Sequence, residues 1–324
     1  MDKTKLIIQC ISLLLMSIFT CCIHTYPDGE GVDPTLVQIG VEVSIDASWE
    51  TLAINFSKAE DRINNFDYRL IIEFTRNGKQ IGRCEHFLTQ EEYAAGHIKL
   101  IMPFDFHAVT YNVTAWLDCV EAANHKNSTY YTDDFYEIVR NDHHVIWSDD
   151  KMCVYGQTDI DLHAYKDKWG AKVKVPLTLS PPIGRFKIIA SDMEGFQDYI
   201  KTLKNQEETY SVCIAVDSHI PKEFNAIDNK VIFYQDPAEY YFPMPESGSE
   251  IASGEFFVDE TGTQISAKII IYNSARLIVS KSPTITIPLE RGKVTAITGS
   301  LLTDFYTNSI NVNTVWDGEI IIEI

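Results

Sequence analysis

Apolar residues at every second position mark the start of the folded chain. Val37, Ile39, Val41, Val43 and Ile45 alternate with Gln38, Gly40, Glu42 and Ser44, the period of a strand that buries one face. The same period runs through Tyr68, Leu70, Ile72 and Phe74, stops at Arg76-Asn77-Gly78-Lys79 and resumes from Ile81 to Phe87. Asn-Gly tolerates the positive φ angles of a two-residue turn, so a β-hairpin is predicted there. Thr89-Gln90-Glu91-Glu92 has the form of a capping box, and Gly96 can end the turn, which predicts a short helix from Gln90 to Ala95. Strands follow near Ile98 to Met102 and Tyr111 to Val120.

Past Tyr155 the pattern breaks over the polar segment Gly156 to Lys168 and restarts with Val173, Val175, Leu177 and Leu179. A boundary near residue 165 therefore divides two units, 36–165 and 166–324. The second unit is predicted to hold strands at Phe186–Ala190, Tyr210–Val216, Val231–Tyr234, Gly254–Val258, Ser266–Tyr272, Thr284–Leu289 and Lys293–Leu301, with a last pair toward Ile324. It also holds one helix, where Ser191-Asp192-Met193-Glu194 has the capping-box form and Phe196, Tyr199, Ile200 and Leu203 fall on one helical face. The fold class read from these periods is all-β, two tandem β-sandwiches with one or two short helices. The halves resemble each other in strand spacing more than in residues.

The amino terminus changes the picture. Lys3 and Lys5 precede an apolar run from Leu6 to Phe19, followed by Thr20-Cys21-Cys22. A charged start, a short apolar run and small residues make a secretory signal peptide, 1–21, and the run is shorter than the roughly 20 residues a membrane helix needs. Because the signal ends on cysteine, it reads as a lipoprotein signal with the lipid on the Cys22 thiol; Cys21 is the second choice, and an ordinary cleaved signal the alternative. Residues 22–35, with Pro27, Gly29, Gly31 and Pro34, read as a flexible tether.

The net charge of −19 becomes about −20 once the signal, with two lysines and one aspartate, is removed. Such a surface repels nucleic acid; its acids are scattered, which serves solubility and identifies no partner. Cys84, Cys119, Cys153 and Cys213 are few and far apart for a chain this long. They read as small buried residues, with a Cys84–Cys119 disulfide as the alternative.

Among the spacings that chemistry demands, the chain has no Gly-rich phosphate loop, no Gly-x-Ser-x-Gly, no His-Glu-x-x-His and no Cys-x-x-Cys. It is read as a non-enzyme, with no catalytic residue, no metal site and no cofactor. The most metal-like cluster, Asp142-His143-His144 with Asp149, Asp150, Asp159 and Asp161, reads as a polar connection, since adjacent histidines on a strand point to opposite faces. Tyr130-Tyr131 with Phe135-Tyr136, and Tyr240-Tyr241-Phe242, could offer flat faces to a glycan, although aromatics in strands more often pack in a core. At the carboxyl end Ile310, Val312 and the run Ile320, Ile321, Ile322 and Ile324 are strand material, equally able to pair within their own sheet or with a neighbour's edge.

Four stretches resemble the FimB-type fimbrial anchor and assembly proteins of the Bacteroidota, lipoprotein subunits of the type V pilus. They are Cys22–Pro27 with Gly31–Thr35, Arg185–Asp192, Ile287–Thr295 and Trp316–Ile320, in order along nearly the whole chain. The resemblance implies two transthyretin-like Greek-key sandwiches, a lipid anchor in the outer membrane, exposure on the cell surface, and assembly by donor-strand exchange with a fimbrial stalk subunit (pilin). It implies further that stalk subunits lose an amino-terminal strand to a protease cutting after arginine or lysine. Here the first basic residue after Cys22 is Lys58, beyond the tether and first strand, so an anchor is expected rather than a stalk subunit. A surface glycan-binding lipoprotein is the runner-up, for which Tyr130, Tyr131, Tyr240 and Tyr241 would have to share one exposed face. A β-sandwich hydrolase stands third.

Overall fold

The alternation at residues 37–45 folds as strand β1 (Leu36–Ile45), with Val37, Ile39, Val41 and Val43 wholly buried. The computed structural model describes residues 33–45, 66–127, 129–141, 153–202, 209–302 and 310–315. Cys21, Cys22, nearly all of the tether, Asp142 to Asp150 and Ile320 to Ile324 lie outside the described residues.

The predicted hairpin is β2 (Phe66–Arg76) and β3 (Lys79–Phe87), with Asn77 at φ 51° and Gly78 at φ 71° in its turn. Helix α1 (Gln90–Ala95) has the expected capping box, in which the Glu92 amide donates to Thr89 Oγ1 at 3.2 Å and the Thr89 amide donates to Glu92 Oε2 at 2.9 Å. Then come β4 (His97–His107), β5 (Thr110–Glu121), β6 (Tyr130–Tyr131), β7 (Ile138–Arg140), β8 (Val154–Asp161) and β9 (Ala171–Leu179). One sheet has the order β4-β1-β9 and another β3-β2-β5-β8. Their inner faces share one apolar core.

Two local expectations are corrected here. Residues 156–161, read as part of a polar break, continue the edge strand β8, which alternates with Ile160 inward and Asp159 and Asp161 outward. Strand β9, read as reopening the pattern in the second unit, belongs to the first sandwich. It pairs in parallel with β1 from Val37↔Ala171 to Ile45↔Leu179, and Val175, Leu177 and Leu179 enter the first core. Gly156 lets β8 pass against β9, since a Cβ there would lie 2.3 Å from the Thr178 carbonyl oxygen.

The second half holds β10 (Ile183–Ala190), α2 (Met193–Thr202), β11 (Tyr210–Val216), β12 (Ile220–Asn225), β13 (Lys230–Gln235), β14 (Ala238–Pro243), β15 (Glu250–Phe257), β16 (Thr263–Asn273), β17 (Ile278–Lys281), β18 (Ile285–Leu289), β19 (Val294–Gly299) and β20 (Ile310–Val315). The order β15-β10-β19-β20 makes one sheet; β14-β11-β16-β17, with β18 also on β16, makes the other. Helix α2 covers this second core with Met193, Phe196 and Ile200. Tyr199, expected on that face, is instead 53% exposed. Its start is tied down by Asp192, whose carboxylate accepts the amides of Leu301 and Leu302, both at 2.9 Å.

The two halves repeat a three-strand arrangement. β1 lies antiparallel to β4 and parallel to β9, as β10 lies antiparallel to β15 and parallel to β19. A further sheet, β13-β12-β7-β6, draws strands from both halves. Together with β10 and β15 it buries the outer face of β2, β5 and β8 in a third apolar cluster, in which Ile71, Trp116 and Tyr155 meet Tyr130, Phe135, Phe224 and Phe257. Cys84 and Cys119 form no disulfide; they lie on β3 and β5 with β2 between.

Candidate functional site

In strand exchange the operative parts are strand edges and the strand that could be removed. β1 is held on both flanks, by β4 from Leu36↔His107 to Ser44↔His97 and by β9 from Val37↔Ala171 to Ile45↔Leu179. Its start is fixed by residues of the first resembling stretch. The Thr35 amide donates to Asp33 Oδ1 at 2.9 Å, and the buried Thr35 hydroxyl accepts the Asp167 amide at 2.9 Å. The hydrogen bonds from Thr35 hold the Asp33 carboxyl below the usual carboxylate range, so the turn is anchored by a charged acceptor.

At the other end, β20 pairs antiparallel with β19, from Gly299↔Ile310 to Val294↔Val315. Ile310 and Val312 thus lie in their own sheet, at its edge. The candidate partner strand Ile320, Ile321, Ile322 and Ile324 follows beyond the described residues.

Buried charge joins the halves. Glu255 of β15 lies 3.3 Å from Arg185 Nε and 3.6 Å from Arg140 Nη2, and Tyr130 donates its hydroxyl to the same carboxylate at 3.3 Å. Arg140 also donates to the Glu255 carbonyl. Beside them Arg69 forms a forked pair with Asp118, at 3.1 and 2.9 Å, and donates to Thr132 at 2.8 Å. Arg83 donates to Glu73 at 3.0 Å. Arg291 donates to the carbonyls of Val258 and Asn229 while lying over the Phe224 ring. Burial pushes the Asp118 carboxyl up to about 6, and also raises the Glu73 carboxyl, the Tyr130 phenol and the Cys153 thiol. Each carboxylate here meets a guanidinium rather than a second carboxylate, an arrangement that locks strands together. Sequence reasoning placed Arg185 and Arg291 in resembling stretches but missed Arg140 and Glu255. The available signal was a charge inside an apolar strand, as in Gly254-Glu255-Phe256.

The aromatic groups divide. Tyr130, Phe135 and Phe242 are buried; Tyr131 and Tyr241 are 45% and 53% exposed, and Tyr240 packs against the second core. With Tyr130 enclosed, the four tyrosines do not share one exposed face. Of the metal-like cluster, Asp159 accepts the Asn112 side-chain amide and Asp161 accepts the His163 amide.

No curated protein matches the chain. Solved structures do. A candidate cell adhesion protein from Bacteroides eggerthii is similar at 10% identity over 88% of this chain and 97% of that one, with a TM-score of 0.46. A candidate polysaccharide-binding protein from Bacteroides thetaiotaomicron is similar at 11% identity over 87% and 99%, TM-score 0.45. A fimbrial assembly protein from Parabacteroides distasonis is similar at 9% identity over 86% and 95%, TM-score 0.38. A family model matches residues 34–324, and the chain belongs to that family, the family of unknown function DUF6562.

Proposed function

We propose that this protein is an outer-membrane lipoprotein subunit of a fimbria, the anchor that attaches the fibre through lipid on Cys22 and terminates it by strand exchange with a pilin. The observation that carries the reading is the state of β1. Its inward residues Val37, Ile39, Val41 and Val43 are wholly buried, β4 and β9 pair with it on both sides, and no lysine or arginine lies between Cys22 and the end of that strand. A protease that cuts after basic residues finds no site there, so β1 stays in its sheet and the lipid stays attached. Asp33 and Thr35, in one resembling stretch, fix the start of β1; Arg185 and Asp192, in another, fix the junction and helix α2. The run Ile320 to Ile324 supplies strand-forming material for a partner.

The test is a pull-down from outer membranes with the Ile320–Ile324 run intact or deleted. A pilin that co-purifies only with the intact chain supports both the anchor and the strand-donor role. A chain recovered from fibres with β1 removed would overturn the anchor reading.

A further inference from the structure

A cleft of about 550 Å³ opens where the two halves meet. One wall is the β2–β3 turn and the start of β5, from the first half; the opposite wall is the turn after β12, from the second. Its volume falls in the range of small-molecule sites, about 300–1,000 Å³, and such sites favour junctions between units.

The chemistry of its lining is specific. Tyr136 lies in the cleft, and its hydroxyl is buried without a hydrogen-bond partner among the described residues. A buried hydroxyl left unpaired costs about 1–3 kcal/mol, so this position gains from a ligand that supplies the missing bond. Gln157 uses its Nε2 to donate to the Ile227 carbonyl at 2.7 Å, which leaves its Oε1 as an acceptor. Asn77, exposed in the turn, offers both an acceptor and donors, and Arg76 adds a guanidinium. Asp228 balances that charge and is itself shared with Asn225 and Lys230, at 3.2 and 3.1 Å. The wall thus mixes donors and acceptors with little net charge, and an aromatic ring lies among them.

We propose that this cleft is a binding site for a neutral saccharide of one or two sugar rings, with the Tyr136 hydroxyl and Arg76 as donors and Gln157 as an acceptor. Sugar hydroxyls donate and accept at once, which suits such a wall, and the C–H face of a pyranose packs on an aromatic ring. Burial first, then the nearby Glu73, Asp228 and Asp134, raise the Tyr136 phenol, and because the Asp228 carboxylate lines the cleft, acidic sugars fit less well. The site does not depend on the fimbrial reading and differs from the tyrosine platform expected from sequence, since of those aromatics it uses only Tyr136.

The test titrates the mature chain with a panel of neutral disaccharides (gluco-, galacto-, manno- and N-acetylated) and with uronic-acid disaccharides, by calorimetry and ligand-observed NMR. The expected result is saturable binding of at least one neutral disaccharide. Tyr136→Phe should weaken it at least tenfold without lowering the melting temperature, as should Arg76→Ala. Tyr136→Phe removes only an unpaired hydroxyl, so it separates loss of the site from loss of the fold. The proposal is overturned if no neutral disaccharide binds, if uronic-acid disaccharides bind tighter, or if neither variant changes the affinity.

Discussion

Arg140, on β7 of the first half, and Glu255, on β15 of the second, meet as a buried ion pair 115 residues apart in sequence, linked also through the Glu255 carbonyl. Arg185 approaches the same carboxylate at 3.3 Å, so one glutamate serves two guanidinium groups. Removing it leaves two buried cations, and breaking such pairs costs about 3–5 kcal/mol. Glu255→Ala should lower the denaturant midpoint accordingly. Because the pair joins the halves, unfolding followed at Trp116 and by far-UV dichroism should separate into two transitions; one unchanged transition refutes the coupling.

Asp118 gives a pH signature. Burial raises its carboxyl from an ordinary value of 3.8 to about 6 despite the Arg69 pair. The protonated form is favoured by folding, so its contribution is full below the unfolded value and is lost as pH rises through about 6. Two pKa units correspond to about 3 kcal/mol. The stability of the wild type minus that of Asp118→Asn should therefore fall between pH 4 and pH 7, as measured by urea unfolding at each pH. A flat difference would show that Asp118 stays charged throughout.

Two glycine substitutions should move stability in opposite directions. Gly156→Ala places a Cβ against the Thr178 carbonyl and should cost about 1–3 kcal/mol by forcing β8 from β9. Gly195→Ala, in α2, meets nothing within 4 Å and should gain up to about 1 kcal/mol through helix propensity. Paired thermal melts read both signs.

Lipid attachment at Cys22 predicts that Cys22→Ser abolishes incorporation of a labelled fatty acid and releases the chain from the membrane fraction. Loss on Cys21→Ser alone would move the anchor to the neighbouring residue.

The strands that sequence reveals are those whose large apolar residues alternate. β1 alternates between a buried and a half-buried face, and in β2 Tyr68, Leu70, Ile72 and Phe74 carry the period even though Ile71 and Glu73 on the other face are buried too. β8 escaped notice because its outward positions, Gln157, Asp159 and Asp161, dilute a pattern that only Ile160 continues. The short β6 and β7 lie in a sheet shared by both halves, where burial is set by contacts no local window contains. β9 carried a correct strand signal, but nothing local says that a strand after a polar break returns to pair with β1. The same holds for the Tyr136 cleft, whose walls lie some 150 residues apart along the chain.

The parallel pairing of β1 with β9 also bears on how the chain acquires its fold. Ser44 and Thr178, neighbours in that ladder, are 134 positions apart. A chain made amino terminus first, at about 5–20 residues per second, spends on the order of ten seconds with β1 formed but its second flank not yet synthesised. Through that interval the central strand of the first sheet is an open edge, and slow long-range closure prolongs it. Any carrier that escorts the nascent chain has this window in which to keep stray strands off β1, and the arrival of residues 171–179 brings it to an end.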